Sequence, residues 1–160
     1  MDKATRYLLM ADDEDDAALL RRALTTQSGA RDAAPGEPGE TAEEIVRTAN
    51  LFETAAALRD GPVSAVLFDA GFTGCRPGDA LSLLAGAAPE TPLIMLTDSD
   101  HLPLAMNAVR QGAQDYILKA TFDDGVLRHR LRFSAERFRR SHDEARRLRK
   151  AEKLKSHYER

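Results

Sequence analysis

Four short apolar runs constrain this chain more than any other feature. They are Tyr7-Leu8-Leu9-Met10-Ala11, Ala65-Val66-Leu67-Phe68, Leu93-Ile94-Met95-Leu96 and Tyr116-Ile117-Leu118. Each is nearly continuous rather than alternating, the pattern of a strand buried on both faces. A weaker fifth candidate, Ile45-Val46-Arg47-Thr48-Ala49, is more polar, as an edge strand would be. Between the runs, apolar residues recur at helical spacing. Residues 14–27 carry Ala17, Leu20, Ala23 and Leu24 on one face; 51–60 carry Leu51, Ala55 and Leu58; 79–87 carry Leu81, Leu84 and Ala85; 101–111 carry Leu104, Ala108 and Val109, with Gly112 as a stop. A last helix is expected from near Asp123. This alternation of strand and helix predicts a parallel sheet with helices on both faces. The Pro/Gly-rich segment 29–42 reads as a long loop at the edge where strands begin. That places it away from any site built at strand carboxyl ends.

The 160 residues fit one domain with an appendage, and 42% hydrophobic content supports a packed core. No run approaches the length of a membrane helix, and the start has no apolar signal core. The single cysteine, Cys75, excludes an intramolecular disulfide or CxxC zinc site and reads as an incidental thiol. A cytoplasmic, reducing compartment is the expectation. The net charge of −3 conceals an uneven distribution. Residues 126–160 hold 13 Lys/Arg against 5 Asp/Glu, a net of +8, whereas residues 1–125 carry −11.

Polar residues stand at the predicted strand ends. Asp12 and Asp13 follow the first run, Asp69 follows the second, Thr97 ends the third and Lys119 ends the fourth. Open α/β sheets bind ligands at strand carboxyl ends, where strand order reverses. If the strands bearing Asp12, Asp13 and Asp69 are neighbours, three carboxylates converge, and their repulsion calls for a cation. An all-oxygen set suits Mg²⁺. A carboxylate is also a competent nucleophile for phosphoryl transfer, and Lys119 would supply fixed positive charge. Thr97 could hydrogen-bond a phosphoryl oxygen. Taken singly, each residue has a plainer reading: Asp12 or Asp13 as an N-cap, Asp69 as a turn residue, Lys119 as a solvated lysine, and Asp15 and Asp16 as first-turn acids favoured by the helix dipole.

In combination and order these residues carry a resemblance. Leu8-Leu9-Met10-Ala11-Asp12-Asp13, Val66-Leu67-Phe68-Asp69, Ile94-Met95-Leu96-Thr97 and Gly112-Ala113-Gln114-Asp115-Tyr116-Ile117-Leu118-Lys119 make residues 5–135 resemble the receiver domain of two-component response regulators, the CheY-like fold. The resemblance implies a five-stranded parallel sheet of order 2-1-3-4-5 in a flavodoxin-like three-layer sandwich. It implies a phosphoacceptor, Asp69, supplied by a sensor histidine kinase or phosphotransfer protein. It implies Mg²⁺ (or Mn²⁺) held by Asp12, Asp13, Asp69 and the carbonyl of Gly71. Thr97 matches the switch hydroxyl, Tyr116 the switch aromatic and Lys119 the phosphoryl-pairing lysine. Such a domain catalyses its own phosphorylation and dephosphorylation rather than turning over a separate substrate.

The chain departs from the family in three places. The loop Ala70–Gly78 lacks the usual early proline and is one residue longer, which predicts flexibility. Asp98 follows Thr97 where a small residue is usual, and would repel a phosphoryl group unless it caps the next helix. Ala120 replaces a common proline.

Beyond Gly125 there is no Gly or Pro, so the last helix is expected to reach about residue 157. The division expected is a receiver domain over 1–135 and a continuous helical extension over 136–160. Leu127, Leu131, Ser134, Phe138, Ser141, Ala145 and Leu148 follow a heptad-like spacing that weakens at Glu152 and Lys155. It predicts a coiled coil between two copies. DNA contact is not expected, since no helix-turn-helix follows. Two rivals stand beside the phosphoacceptor: a pseudo-receiver serving only as an interaction module, and a phosphatase of the haloacid dehalogenase type. The latter's Asp-x-Asp motif is missing at Asp69-Ala70-Gly71.

Overall fold

The apolar runs form the centre of the structure. The computed structural model describes residues 5–27, 43–98, 100, 102–122 and 126–158. Five strands, β1 (Thr5–Met10), β2 (Glu43–Thr48), β3 (Ala65–Asp69), β4 (Leu93–Thr97) and β5 (Asp115–Leu118), pair in parallel in the order β2-β1-β3-β4-β5. Five helices intervene or follow: α1 (Asp15–Gln27), α2 (Leu51–Arg59), α3 (Pro77–Ala87), α4 (Leu102–Arg110) and α5 (Leu127–Tyr158). The polar β2 takes one edge, as its composition predicts.

Within each continuous run, successive side chains go to opposite faces and enter two different cores. Tyr7, Leu9, Leu67, Ile94 and Leu96 meet Leu20 and Leu24 of α1 and Leu127 and Leu131 of α5. Leu8, Met10, Val66, Phe68 and Met95 meet Leu81 and Leu84 of α3 and Ala105 and Ala108 of α4, with Leu51 and Leu58 of α2 against them. Each fully buried Leu, Ile, Phe or Met contributes about 1.5–3 kcal/mol of transfer free energy. That is why the polar residues of the central β3 and β4, Asp69 and Thr97, stand only at their carboxyl ends.

Local signals set the helix ends. The Asn50 side chain accepts from the Glu53 N–H at 2.9 Å, while Glu53 accepts from the Ala49 N–H at 2.7 Å, a reciprocal cap on α2. Pro77 opens α3. After α4, Gly112 adopts φ 116°, the Ala113 N–H reaches the Ala108 carbonyl and the Gly112 N–H reaches Val109. This Schellman arrangement explains the glycine there.

A 3₁₀ turn over Lys119–Thr121 follows β5, and α5 is described from Leu127; the expected start near Asp123 lies outside the described residues, as does the 29–42 loop. At 32 residues α5 is about 48 Å long. Only its first part is docked. Arg128 pairs with the buried Glu43 at 3.0 Å, Arg130 donates to the Tyr116 carbonyl at 2.7 Å, and the Ser134 hydroxyl donates to Asp115 at 2.9 Å. The heptad seam is therefore split. Leu127, Leu131 and Ser134 face the chain's own sheet and cannot meet a second helix. Phe138 and Ala145 are half-buried, and Leu148 is exposed. The 4-3 spacing arises first from packing on the domain, because any helix laid on a core repeats near that period.

Candidate functional site

The carboxyl ends of β1 and β3 lie side by side, since Met10 aligns with Phe68. This is the place where strand order reverses, with β2 on one side and β3 on the other. Asp12, Asp13 and Asp69 are brought to the same edge. Lys119 closes it from the end of β5, 3.1 Å from Asp69 Oδ1.

Each carboxylate is engaged by a donor. Asp12 Oδ2 accepts from the Thr73 N–H at 3.1 Å and from its hydroxyl at 2.9 Å. Asp13 Oδ1 accepts from the Asp15 N–H at 3.0 Å, at the entry to α1. Asp69 Oδ1 accepts from the Gly71 N–H at 3.0 Å as well as from Lys119. A Cβ on Gly71 would lie in ordinary contact, 3.6 Å from both Asp69 oxygens, so the loop passes directly beside this carboxylate.

The Ala70–Gly78 loop, expected to be flexible, is anchored instead. Phe72 is buried in the α3/α4 core, its N–H bonds the Asp69 carbonyl at 3.1 Å, and Thr73 holds Asp12. Gly74 is required by that anchor: a Cβ there would come within 2.6 Å of the Phe72 ring.

Two supports went unrecognised in the sequence. Asp16 is a first-turn acid of α1, as expected, but its Oδ2 also sits 2.9 Å from Lys119 Nζ. Lys119 thus bridges Asp16 and Asp69. The signal was available, since Asp16 precedes Leu20 by four residues and continues the buried face of α1. Burial disfavours the charge on Lys119, but its hydrogen bonds to Asp16 and Asp69 prevail and raise its pKa. Burial raises the Asp16 pKa; Lys119 opposes that and the Asp69 charge adds to it. The second support is Arg47 of β2, which donates to the Ala11 carbonyl at 2.8 Å and pairs with Glu14 at 3.0 Å. It fastens the acidic turn from the edge strand. Nothing local marks it.

Thr97 is fully buried and its hydroxyl donates to the Asp98 carbonyl at 2.9 Å. Tyr116 is half-buried against the α3/α4 core. Neither makes a described hydrogen bond through its side chain to Asp69 or Lys119. Asp98 is exposed; whether it caps the helical turn that follows depends on residues 99 and 101, which lie outside the described residues. Burial and the nearby Asp79 raise the pKa of Cys75, an unreactive environment for a thiol.

Among the described residues, no three His, Cys, Asp or Glu side chains are gathered as a metal site. The donor chemistry nevertheless fits Mg²⁺. Asp12 and Asp13 are exposed at the edge shared with Asp69, and all the candidate ligand atoms are oxygens. Mg²⁺ commonly takes only one or two carboxylates and keeps waters.

No family model matches the chain. Among curated proteins it is similar to the acid tolerance regulatory protein ActR of Rhizobium meliloti (strain 1021), at 29% identity over 122 residues. The match covers 76% of this chain and 56% of that protein, so the chain spans little more than half the length of its relative. Solved structures resemble it over nearly their whole length. The N-terminal signal receiver domain of a two-component response regulator from Bacteroides fragilis gives a TM-score of 0.66 at 16% identity, covering 83% of this chain and 98% of that one. The signal receiver domain of an HD domain-containing protein from Pseudomonas fluorescens Pf-5 gives 0.67 at 19%, covering 89% and 95%. The receiver domain of NtrX from Brucella abortus gives 0.60 at 24%, covering 84% and 98%. With its β2-β1-β3-β4-β5 sheet, flanking helices and acidic edge at the strand carboxyl ends, the chain has the fold of a response-regulator receiver domain.

Proposed function

We propose that the chain is a phosphoacceptor switch of two-component signalling, with Asp69 as the acceptor. The observation that carries this reading is Asp69 at the β1/β3 edge, beside the acidic turn and 3.1 Å from Lys119. In the proposed reaction an Asp69 oxygen attacks the phosphorus of a phosphohistidine on a sensor histidine kinase or phosphotransfer protein. The phosphorus–nitrogen bond breaks, its electron pair stays on the imidazole, and Asp69 becomes an acyl phosphate. Asp12, Asp13, Asp69 and the Gly71 carbonyl would hold Mg²⁺ (or Mn²⁺), which when bound offsets charge on the phosphoryl oxygens. Lys119 neutralises the acquired charge. Thr97 would turn its hydroxyl from the Asp98 carbonyl toward the phosphoryl group, and Tyr116 would follow.

The same reading divides the chain into a receiver domain, 1–135, and a helical extension, 136–160. Ala135 is the last buried residue of α5 among those described. The extension would carry the output, pairing two copies through Phe138, Ala145 and Leu148. A cytoplasmic location accompanies this function, and among the described residues no helix is long and apolar enough to cross a membrane. DNA contact forms no part of the reading.

Acetyl phosphate with Mg²⁺ tests the acceptor. Intact mass should show one added phosphoryl group on the wild type and none on Asp69→Asn. A modification that persists in the variant would reassign the site.

A further inference from the structure

The Lys119 ammonium is shared. Asp16 Oδ2 lies 2.9 Å from Nζ and Asp69 Oδ1 lies 3.1 Å from it. The side chains of all three are under one-fifth exposed, at 19%, 14% and 15% for Asp16, Asp69 and Lys119. Among the described residues no other cation pairs with Asp16, and the first turn of α1 favours its negative form.

We propose that Asp16 is a positioning residue that holds Lys119 between two carboxylates and so weakens the grip of the site on an anionic phosphoryl group. This rests on the phosphoacceptor reading above. A phosphoryl group adds negative charge at Asp69. The single ammonium must then either leave Asp16 uncompensated or remain divided between them. Both outcomes disfavour the phosphorylated state, the first through like-charge repulsion in a poorly solvated pocket, the second through incomplete neutralisation. Neutralising Asp16 removes the competitor and the repulsion together, and leaves Asp69, Lys119 and the acidic turn in place.

Calorimetric titration of the full chain with beryllium fluoride and Mg²⁺, a non-transferable stand-in for the phosphoryl group, provides the test. Asp16→Asn and Asp16→Ser should each bind about tenfold more tightly than wild type, as removal of an adjacent like charge predicts. Asp16→Glu should return to wild-type affinity. A readout without metal accompanies it: acetic anhydride should modify Lys119 faster in Asp16→Asn and Asp16→Ser, by peptide mass, because one of its two partners is gone. Asp16→Ser keeps a helix-start residue should the asparagine variant fold poorly. Binding by wild type with equal or weaker binding by the folded variants overturns the role of Asp16 alone. Absence of binding by wild type and variants alike overturns the phosphoacceptor reading, and this proposal with it.

Discussion

At the scale of single residues, burial decides the chemistry. Tyr7 sits in β1 at 1% exposure, its ring in the sheet core and its edge on a cavity of about 470 Å³ lined also by His129, Arg132 and Arg139. Burial, reinforced by Glu43 and opposed by Arg132, Arg128 and Arg139, pushes its pKa from 10.0 to about 12. The sign of the consequence follows from proton counting. Below pH 10 the phenol is protonated whether the chain is folded or not. Between pH 10 and about 12 the unfolded chain has lost the proton and the folded one keeps it, so stability falls as pH rises. Two units correspond to about 3 kcal/mol at most. Urea unfolding from pH 9 to 12 should therefore show a steeper loss in wild type than in Tyr7→Phe. Equal slopes would mean that Tyr7 ionises normally. Asp12, Asp13, Asp69 and Lys119 were legible because each directly follows or ends an apolar run. Asp16 and Arg47 were not singled out, because their importance lies in a partner 103 positions away for one and 36 for the other.

At the scale of elements, α5 shows how one periodicity can serve two purposes. Its first turns are part of the core: Leu131 is fully buried against Leu9, Leu20 and Ile117 in the same cluster. Its later turns stand clear, with Leu148 at 60% exposure. Leu131→Ala should cost about 2–5 kcal/mol in chemical denaturation, the range for a buried leucine. Leu148→Ala should change monomer stability by less than about 0.5 kcal/mol. Comparable losses at both sites would mean that the extension is packed, not free. The helix was readable as a helix from its composition. The division between docked and undocked turns was not, since a heptad spacing states which residues share a face and not what that face touches.

At the scale of the whole molecule, charge and shape separate. The α/β body carries the acidic excess and the long helix carries +8. Five aligned strands collect acids from β1 and β3 and a lysine from β5 at one edge, while α5 runs back along the sheet and beyond it. If the extension joins two copies, light scattering at rising concentration should give a dimer for the full chain and a monomer for a chain ending at residue 140. Beryllium fluoride with Mg²⁺ should shift that equilibrium. A full-length monomer at all concentrations, with and without the fluoride, would remove the pairing role and leave the acceptor chemistry untouched.

The sequence by itself determined the alternation of strand and helix, the two-faced burial of the sheet and the strand-end placement of Asp12, Asp13, Asp69, Thr97 and Lys119. Those properties follow from local periodicity, which a linear chain displays directly. Only the tertiary structure decided that Thr73 holds Asp12, that Phe72 anchors an atypical loop, and that Lys119 is divided between Asp16 and Asp69. Those outcomes depend on which strands become neighbours and how far side chains reach across the gap. Such contacts join residues with no periodic relation in the chain.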